Sequence, residues 1–427
     1  GNNILLPVFE TVGDVNQVYN ALNNITFNES RTSSVAATYR ADSDDNGAGS
    51  IILLDGVLLS VSNQSLNLTA ADLDLQGSST ISSGSGVLTV TVTGDGSLGI
   101  GDATGQMEIS GSELSRITTS GGLNLVTTGA GGISVNNVLA AQSQNISGNT
   151  LFNASGTGNI GLVTAASTFN SASFNAAGGT TNIGTNFTAD NGDLQFVTAA
   201  AVSGASALVS DGGDITFQST LSLDNSLDLT TNNGDLSFAD AVNSTSTLTM
   251  NLGGGAVTGL NQLQSTLTGL TINSSSSISL PALTINGPQV FNTGATTVTG
   301  NLTGIGIDFQ NVVGISSDGL MLNSGTGVLN FNSTVNTNAF DLTLVGDEVD
   351  FAGALSGTGN LIIRPATSAT NVTLGGGTSS AALNLTAADL ANVPNTLASL
   401  EIGNTVGTGS LSIDGYENFS AVLLTLN

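Results

Sequence analysis

Gly192-Asp193-Leu194-Gln195-Phe196, Gly213-Asp214-Ile215-Thr216-Phe217 and Gly234-Asp235-Leu236-Ser237-Phe238 are one phrase written three times. Its aspartates recur every 21 residues, and so do its phenylalanines. A fixed period near 20 residues in a Gly-rich, β-prone chain marks a stack of coils, because one such repeat cannot bury its apolar face alone. Alternation along the phrase sends Leu194 and Phe196 to one face with their counterparts one coil on. Gln195, Thr216 and Ser237 point the other way.

Working outward, Val87–Thr93, Leu342–Leu344 and Leu361–Ile363 show the same short alternation between Gly, Asn, Ser and Asp turns. A second phrase, Gly-Ser/Thr-Gly before a strand, occurs at Gly84, Gly156, Gly325, Gly357 and Gly407, where glycine is expected to supply the positive φ of a sharp corner. Phe331 and Phe351 are 20 apart, so the period persists. An octamer, Leu-Asn-Leu-Thr-Ala-Ala-Asp-Leu, stands at Leu66–Leu73 and again at Leu383–Leu390, which suggests duplication of a coil with its own short insert. An antiparallel sandwich gives no reason for a 21-residue identity of phase, and a helical solenoid needs 3.6-residue spacing and few glycines. The expectation is an all-β, right-handed parallel β-helix of ~20-residue coils. Each coil contributes two or three strands, in roughly 17–19 coils stacked about 4.8 Å apart.

The 427 residues include no Lys, His, Cys or Trp. Only 8% are charged, against roughly 25% in an ordinary soluble domain. The net charge of −27 arises because 31 acids face only Arg31, Arg40, Arg116 and Arg364. Nucleic acid is thereby a poor partner, and an anionic membrane surface would repel the chain. A mean hydropathy of +0.25 supplies enough apolar material for a continuous core, and no apolar run reaches the ~18–20 residues of a membrane helix. Gly1 is read as a processed N-terminus or as a boundary within a longer chain.

Residues 1–50 read differently, as a cap or assembly segment before a β-helix over 51–427. Asp14 is placed to N-cap a helix in which Val15, Val18, Tyr19 and Leu22 form one stripe, covering the first coil's edge. The C-terminal residues 421–427 read as an apolar strand with nothing to blunt its edge.

The Gly-Thr-Gly-x-Leu strands, the two octamers and Ser399-Leu400-Glu401-Ile402-Gly403 resemble the repeats of filamentous-haemagglutinin-type bacterial exoproteins over roughly residues 50–427. The resemblance is one of repeat style. It implies a right-handed parallel β-helix, export across the outer membrane, and a role in adhesion or cell-surface filaments. The motifs of that family's N-terminal secretion domain have no counterpart in residues 1–50.

Chemistry is sparse. Without His, Cys or Lys, no Ser-His or Cys-His nucleophile and no Schiff base can form, so carboxylate pairs are the remaining acid–base option. Asp44-Asp45 and Asp347-Glu348 are adjacent, and neighbours on a strand face opposite ways. No catalytic residue is assigned. Tyr19, Tyr39 and Tyr416 are too few for a sugar-stacking platform. Gln195, Thr216 and Ser237, one coil apart, do not form the regular threonine ladder that an ice-binding face would need. Asp42-Ser43-Asp44-Asp45-Asn46-Gly47 matches the first half of a Ca²⁺ loop, making Asp42, Asp44 and Asn46 the candidate metal ligands. The twelfth position is Leu53 where a full loop needs Glu, and the same residues also make ordinary turns. Asp193, Asp214 and Asp235 are either solvated turn residues or a ladder that a divalent ion could bridge.

These readings converge on a non-enzymatic, secreted bacterial protein of the cell surface or matrix: a β-helical shaft subunit that assembles head-to-tail with itself. Ile4–Phe9 would be the docking segment. An adhesin segment of a larger exoprotein, binding a surface ligand, is the second reading, and a polysaccharide-active β-helical enzyme the third.

Overall fold

Short runs of alternating apolar residues between turn residues form strands here because each finds the same run one coil away. The structure, a computed structural model, describes residues 3–6, 16–376, 382–414 and 423–427. The chain is an all-β parallel β-solenoid with coils of about 21 residues. Two compact units divide it, residues 1–240 and 241–427.

In the first unit, one coil runs through strands Leu194–Phe196, Ala200–Val202 and Ser206–Ser210. The next runs through Ile215–Phe217, Leu221–Leu223 and Leu227–Thr230. Each strand pairs in parallel with its successor: Leu194 opposes Ile215, Ala200 opposes Leu221, and Ser206 opposes Leu227. Three walls per coil follow, the upper end of the expected two or three. The second unit repeats the scheme with Ile307–Phe309, Val313–Ile315 and Leu320–Asn323 in one coil.

The phenylalanines of the repeated phrase fill the interior. Phe152, Phe174, Phe196, Phe217 and Phe238 stack ring on ring at 4.8–5.5 Å in the first unit. Phe291, Phe309, Phe331 and Phe351 do the same in the second at 5.3–5.4 Å. Gln195, Thr216 and Ser237 face away from them, as alternation requires.

The glycines of the second phrase have two different jobs. Gly84, Gly325 and Gly357 do adopt positive φ. The following glycines, Gly86, Gly327 and Gly359, are demanded by proximity instead: a Cβ at any of them would run into backbone of the preceding coil.

The expected N-terminal helix is not formed in the described part of that stretch. Gln17–Asn20 is a strand in parallel register with Ala37–Arg40, and Asp14 and Val15 lie outside the described residues. The stripe that suggested a helix is overruled by stacking: Tyr19 lies on Tyr39 with centroids 5.1 Å apart, and Val18 turns outward. Ile4–Leu6 also pairs in register with Ile25–Phe27, which pairs with Ile51–Leu53, so no change of architecture accompanies residue 50.

The two octamers share a strand and then part. Leu66–Ala70 is followed by a second strand, Asp72–Leu75. Ala382–Thr386 is followed instead by a helix, Ala387–Ala391. In the first copy, Ser50–Leu53 lies beneath Asp72–Leu75 and pairs with it. In the second, Thr386 and Asp389 close a capping box that starts a helix.

Candidate functional site

The turn 42–47 is built around Asp42, a buried aspartate at φ +52°. Its carboxylate accepts the backbone N–H of Asn46 at 2.9 Å and of Gly47 at 3.0 Å, and the Thr93 hydroxyl at 2.5 Å. Burial pushes its pKa up, but the bonds from Thr93, Gly47, Asn46 and Ala48 prevail, leaving the carboxyl below the usual aspartate range. Asp44 accepts from the Asn46 side chain at 2.9 Å, and Asp45 pairs with Arg40 at 2.8 Å. Thus Asp42, Asp44 and Asn46, the sequence-predicted calcium ligands, do meet in one turn. There they are engaged with each other and with backbone, Asp42 as the pin of the turn. Among the described residues, no group of three or more carboxylates is arranged to hold a metal ion.

The aspartates of the repeated phrase are wired from coil to coil. Asp193 Oδ1 accepts the Asp214 N–H at 3.0 Å, and Asp214 Oδ1 accepts the Asp235 N–H at 2.8 Å. The same device recurs with asparagine: Asn3 Oδ1 takes Asn24 N–H, and Asn24 Oδ1 takes Ser50 N–H. In the second unit it runs from Asp318 to Asp341 and on to Asn360. A turn has backbone donors that no strand can satisfy, and the Asx side chain one coil back supplies the acceptor. Bonds from the Asn360 N–H and side-chain amide hold the Asp341 pKa below its ordinary value.

The aromatic residues offer no platform to solvent among the described residues. Tyr39 is fully buried, and burial pushes its pKa up to about 12. Arg31, itself buried, lies 4.8 Å from the Tyr19 ring centroid and bonds its hydroxyl. Tyr416 lies outside the described residues.

One arrangement escaped the sequence reading. A short helix, α1 (Gly111–Leu114), opens with a capping box of Ser110 and Glu113. The other Glu113 oxygen reaches back 38 residues to the Leu75 N–H at 3.2 Å. Past a second short helix, α2 (Ala140–Ser143), a third, α3 (Ala387–Ala391), opens with Thr386 and Asp389. The other Asp389 oxygen also reaches back 38 residues, to the Phe351 N–H at 2.8 Å. Arg116 bonds the Leu75 carbonyl at 2.5 Å and Asn392 the Phe351 carbonyl at 2.7 Å, each across 41 residues.

Both helices cap a strand that stands last in its sheet, Asp72–Leu75 in the first unit and Glu348–Phe351 in the second. Both strands carry two acids on the outward face, Asp72 with Asp74 and Glu348 with Asp350. Burial, with help from Glu113 and Asp74, raises the Asp72 pKa. Burial, then the charges of Asp350 and Asp389, pushes Glu348 up to about 7. Burial, then the charge of Asp389, raises Asp350. Asp72, Asp74, Glu108 and Glu113 border a depression of about 380 Å³.

The sequence does hold the signal: acid-aliphatic-Asp-aliphatic at 72–75 and 348–351, each followed by a Ser/Thr-x-x-acid box at a fixed distance. Asp347 and Glu348 diverge as neighbours on a strand should, Asp347 taking the Thr367 N–H and hydroxyl. No family model, curated protein or solved structure matches this chain.

Proposed function

We propose that the chain is a non-enzymatic structural protein of the bacterial cell exterior, a β-solenoid subunit that stacks head-to-tail into a surface filament or matrix fibre. The observation that carries the reading is the state of the outermost strands. Ile4–Leu6 and Leu423–Leu426 stand last in their sheets, and Leu5 and Leu423 are 62% and 71% exposed. A sheet edge with apolar side chains is a template for another parallel strand, and a second copy offers one with the same spacing. Ile4–Leu6, which the sequence cast as the docking segment, is already a coil strand on Ile25–Phe27; only its outer edge is left to a partner. Pro7–Phe9 of that segment lie outside the described residues.

The style of the repeats favours a secreted exoprotein, and such edges also suit a second reading, an adhesin segment continued by further coils of the same chain. Light scattering and negative-stain microscopy over rising concentration separate the two. Fibres that disappear when Leu423 and Leu426 are changed to Lys, with the β-rich circular dichroism retained, support the filament. A chain that stays monomeric at high concentration overturns it in favour of the adhesin segment.

A further inference from the structure

Strand Ala382–Thr386 and helix α3 lie against Glu348–Phe351 without continuing its ladder. The described pairings of that strand run to Asn371–Gly375 on its other side. What joins it to Glu348–Phe351 is a set of side-chain links. Asp389 accepts the Phe351 N–H at 2.8 Å, Asn392 donates to the Phe351 carbonyl at 2.7 Å, and the Asn384 N–H bonds the Glu348 carboxyl. Two of these three links run through carboxyls, and a third carboxyl, Asp350, sits beside them. One Glu348 oxygen is buried and bonded to nothing.

The surroundings hold no compensating cation. On the strand itself Glu348 faces Asp350, and from α3 it faces Asp389. The adjoining strand Val328–Phe331 offers Val328 and Asn330 opposite Glu348 and Asp350. One coil further, Asp308 is engaged by Asn330 and Asn332. The strand Ala382–Thr386 contributes Asn384. In the first unit's counterpart, Asp72 and Asp74 face Glu113 from α1 and Glu108 from Met107–Ile109, over Ser50 and Ile52. There Arg116 occupies the place that Asn392 holds in the second unit, so a guanidinium stands where the later module has a neutral amide.

We propose that residues 382–392 form a proton-operated clasp over strand Glu348–Phe351. With a proton held among Glu348, Asp350 and Asp389 the clasp is closed; as the pH rises and Glu348 and Asp350 ionise beside Asp389, it detaches locally while the ladders below stay paired. The sign follows from the geometry. Three carboxyls crowded without a cation repel when charged, and the open segment returns them to water, where they ionise freely.

The experiment is hydrogen exchange at pH 5.0 and pH 8.0, corrected for the intrinsic pH dependence of exchange. Protection in peptides spanning 349–356 and 383–393 is expected to fall about tenfold from the lower to the higher pH, after allowance for the half-exposed carboxyls. Peptides from the wall strands 194–217 are expected to keep theirs. Glu348→Gln keeps an acceptor for Asn384 and is expected to abolish the difference, holding the clasp closed at pH 8.0. Asp350→Asn, which removes the neighbouring charge, carries the same test if the first variant does not fold, and is expected to shrink the difference. Equal protection of the wild-type clasp at both pH values, or a tenfold change that survives the substitution, overturns the proposal.

Discussion

Replacing Phe196 by Leu should cost more than its change in apolar burial. The ring is fully buried between Phe174, at 5.1 Å and 20° from parallel, and Phe217, at 4.8 Å and 7°. Leucine restores nearly all of the water-excluded area, since either side chain gains roughly 1.5–3 kcal/mol on burial. The two ring pairs are lost outright, at about 0.5–1.5 kcal/mol each, so the expected penalty is about 1–3 kcal/mol. Truncation to Ala should cost about 3–5 kcal/mol, because a cavity is added. The decisive measurement is a double-mutant cycle of Phe196→Leu with Phe217→Leu. Native-state hydrogen exchange of strands Leu194–Phe196 and Ile215–Phe217 reads the stability of each variant. The shared ring contact predicts a coupling of about 0.5–1.5 kcal/mol. Penalties that add to within about 0.3 kcal/mol would refute the view that the stack is more than volume filling.

Asp214→Asn should leave the Asp235 amide protected, because an acceptor is retained. Asp214→Ala should speed its exchange about fivefold, the equivalent of about 1 kcal/mol for one hydrogen bond; identical rates in the two variants would remove the staple from the account. Global stability should be greatest between roughly pH 4 and pH 7. Asp42 and Asp341, depressed below 3.8, lose their contribution as the pH falls through that range. Glu348, raised to about 7, contributes fully below its ordinary value of 4.5 and loses that contribution as the pH rises to 7. Chemical denaturation across pH checks both limbs, and a midpoint rising steadily to pH 9 would contradict the second. Trypsin can cut after Arg31, Arg40 and Arg116, while Arg364 precedes Pro365; folded protein should therefore keep the mass from Ile117 onward, read by mass spectrometry. Excess calcium and chelator should give equal melting temperatures if Asp42 is only the pin of its turn; a higher value with calcium would restore the metal reading.

Much of the fold was legible because the period is written in the residues that fill the interior. Leu194, Phe196 and their counterparts specify which face is buried and which coil lies above, and both were read correctly. The 14–22 stretch was misread because its apolar spacing suits a helix, whereas the partner that decides the matter, Tyr39 on the next strand, is 20 residues away from Tyr19. The octamer makes the same point more sharply. One string of eight residues ends in a strand or a helix according to what lies beneath it, so no local rule could have predicted both. The acid modules were missed for a related reason. Their parts are ordinary caps and outward acids, and only a 38-residue separation in the folded chain brings them together. The calcium motif was legible as a turn, but the donors that occupy Asp42, above all Thr93, come from 51 residues away.

The coil-to-coil wiring of the turns has a consequence for how such a chain can change in length. Asp214 gives its N–H to Asp193 and takes the N–H of Asp235, so each turn makes one identical connection backward and one forward. Excising residues 213–233 would join Asn232's successor turn to the coil ending at Gly212 and bring Asp235 onto Asp193 and Phe238 onto Phe196, with every type of contact conserved. Inserting a duplicate would be equally neutral in kind. A gene encoding this protein could therefore grow or shrink by whole coils through simple recombination, without any compensating substitution, whereas a change of a few residues would put every later turn out of step with its neighbour.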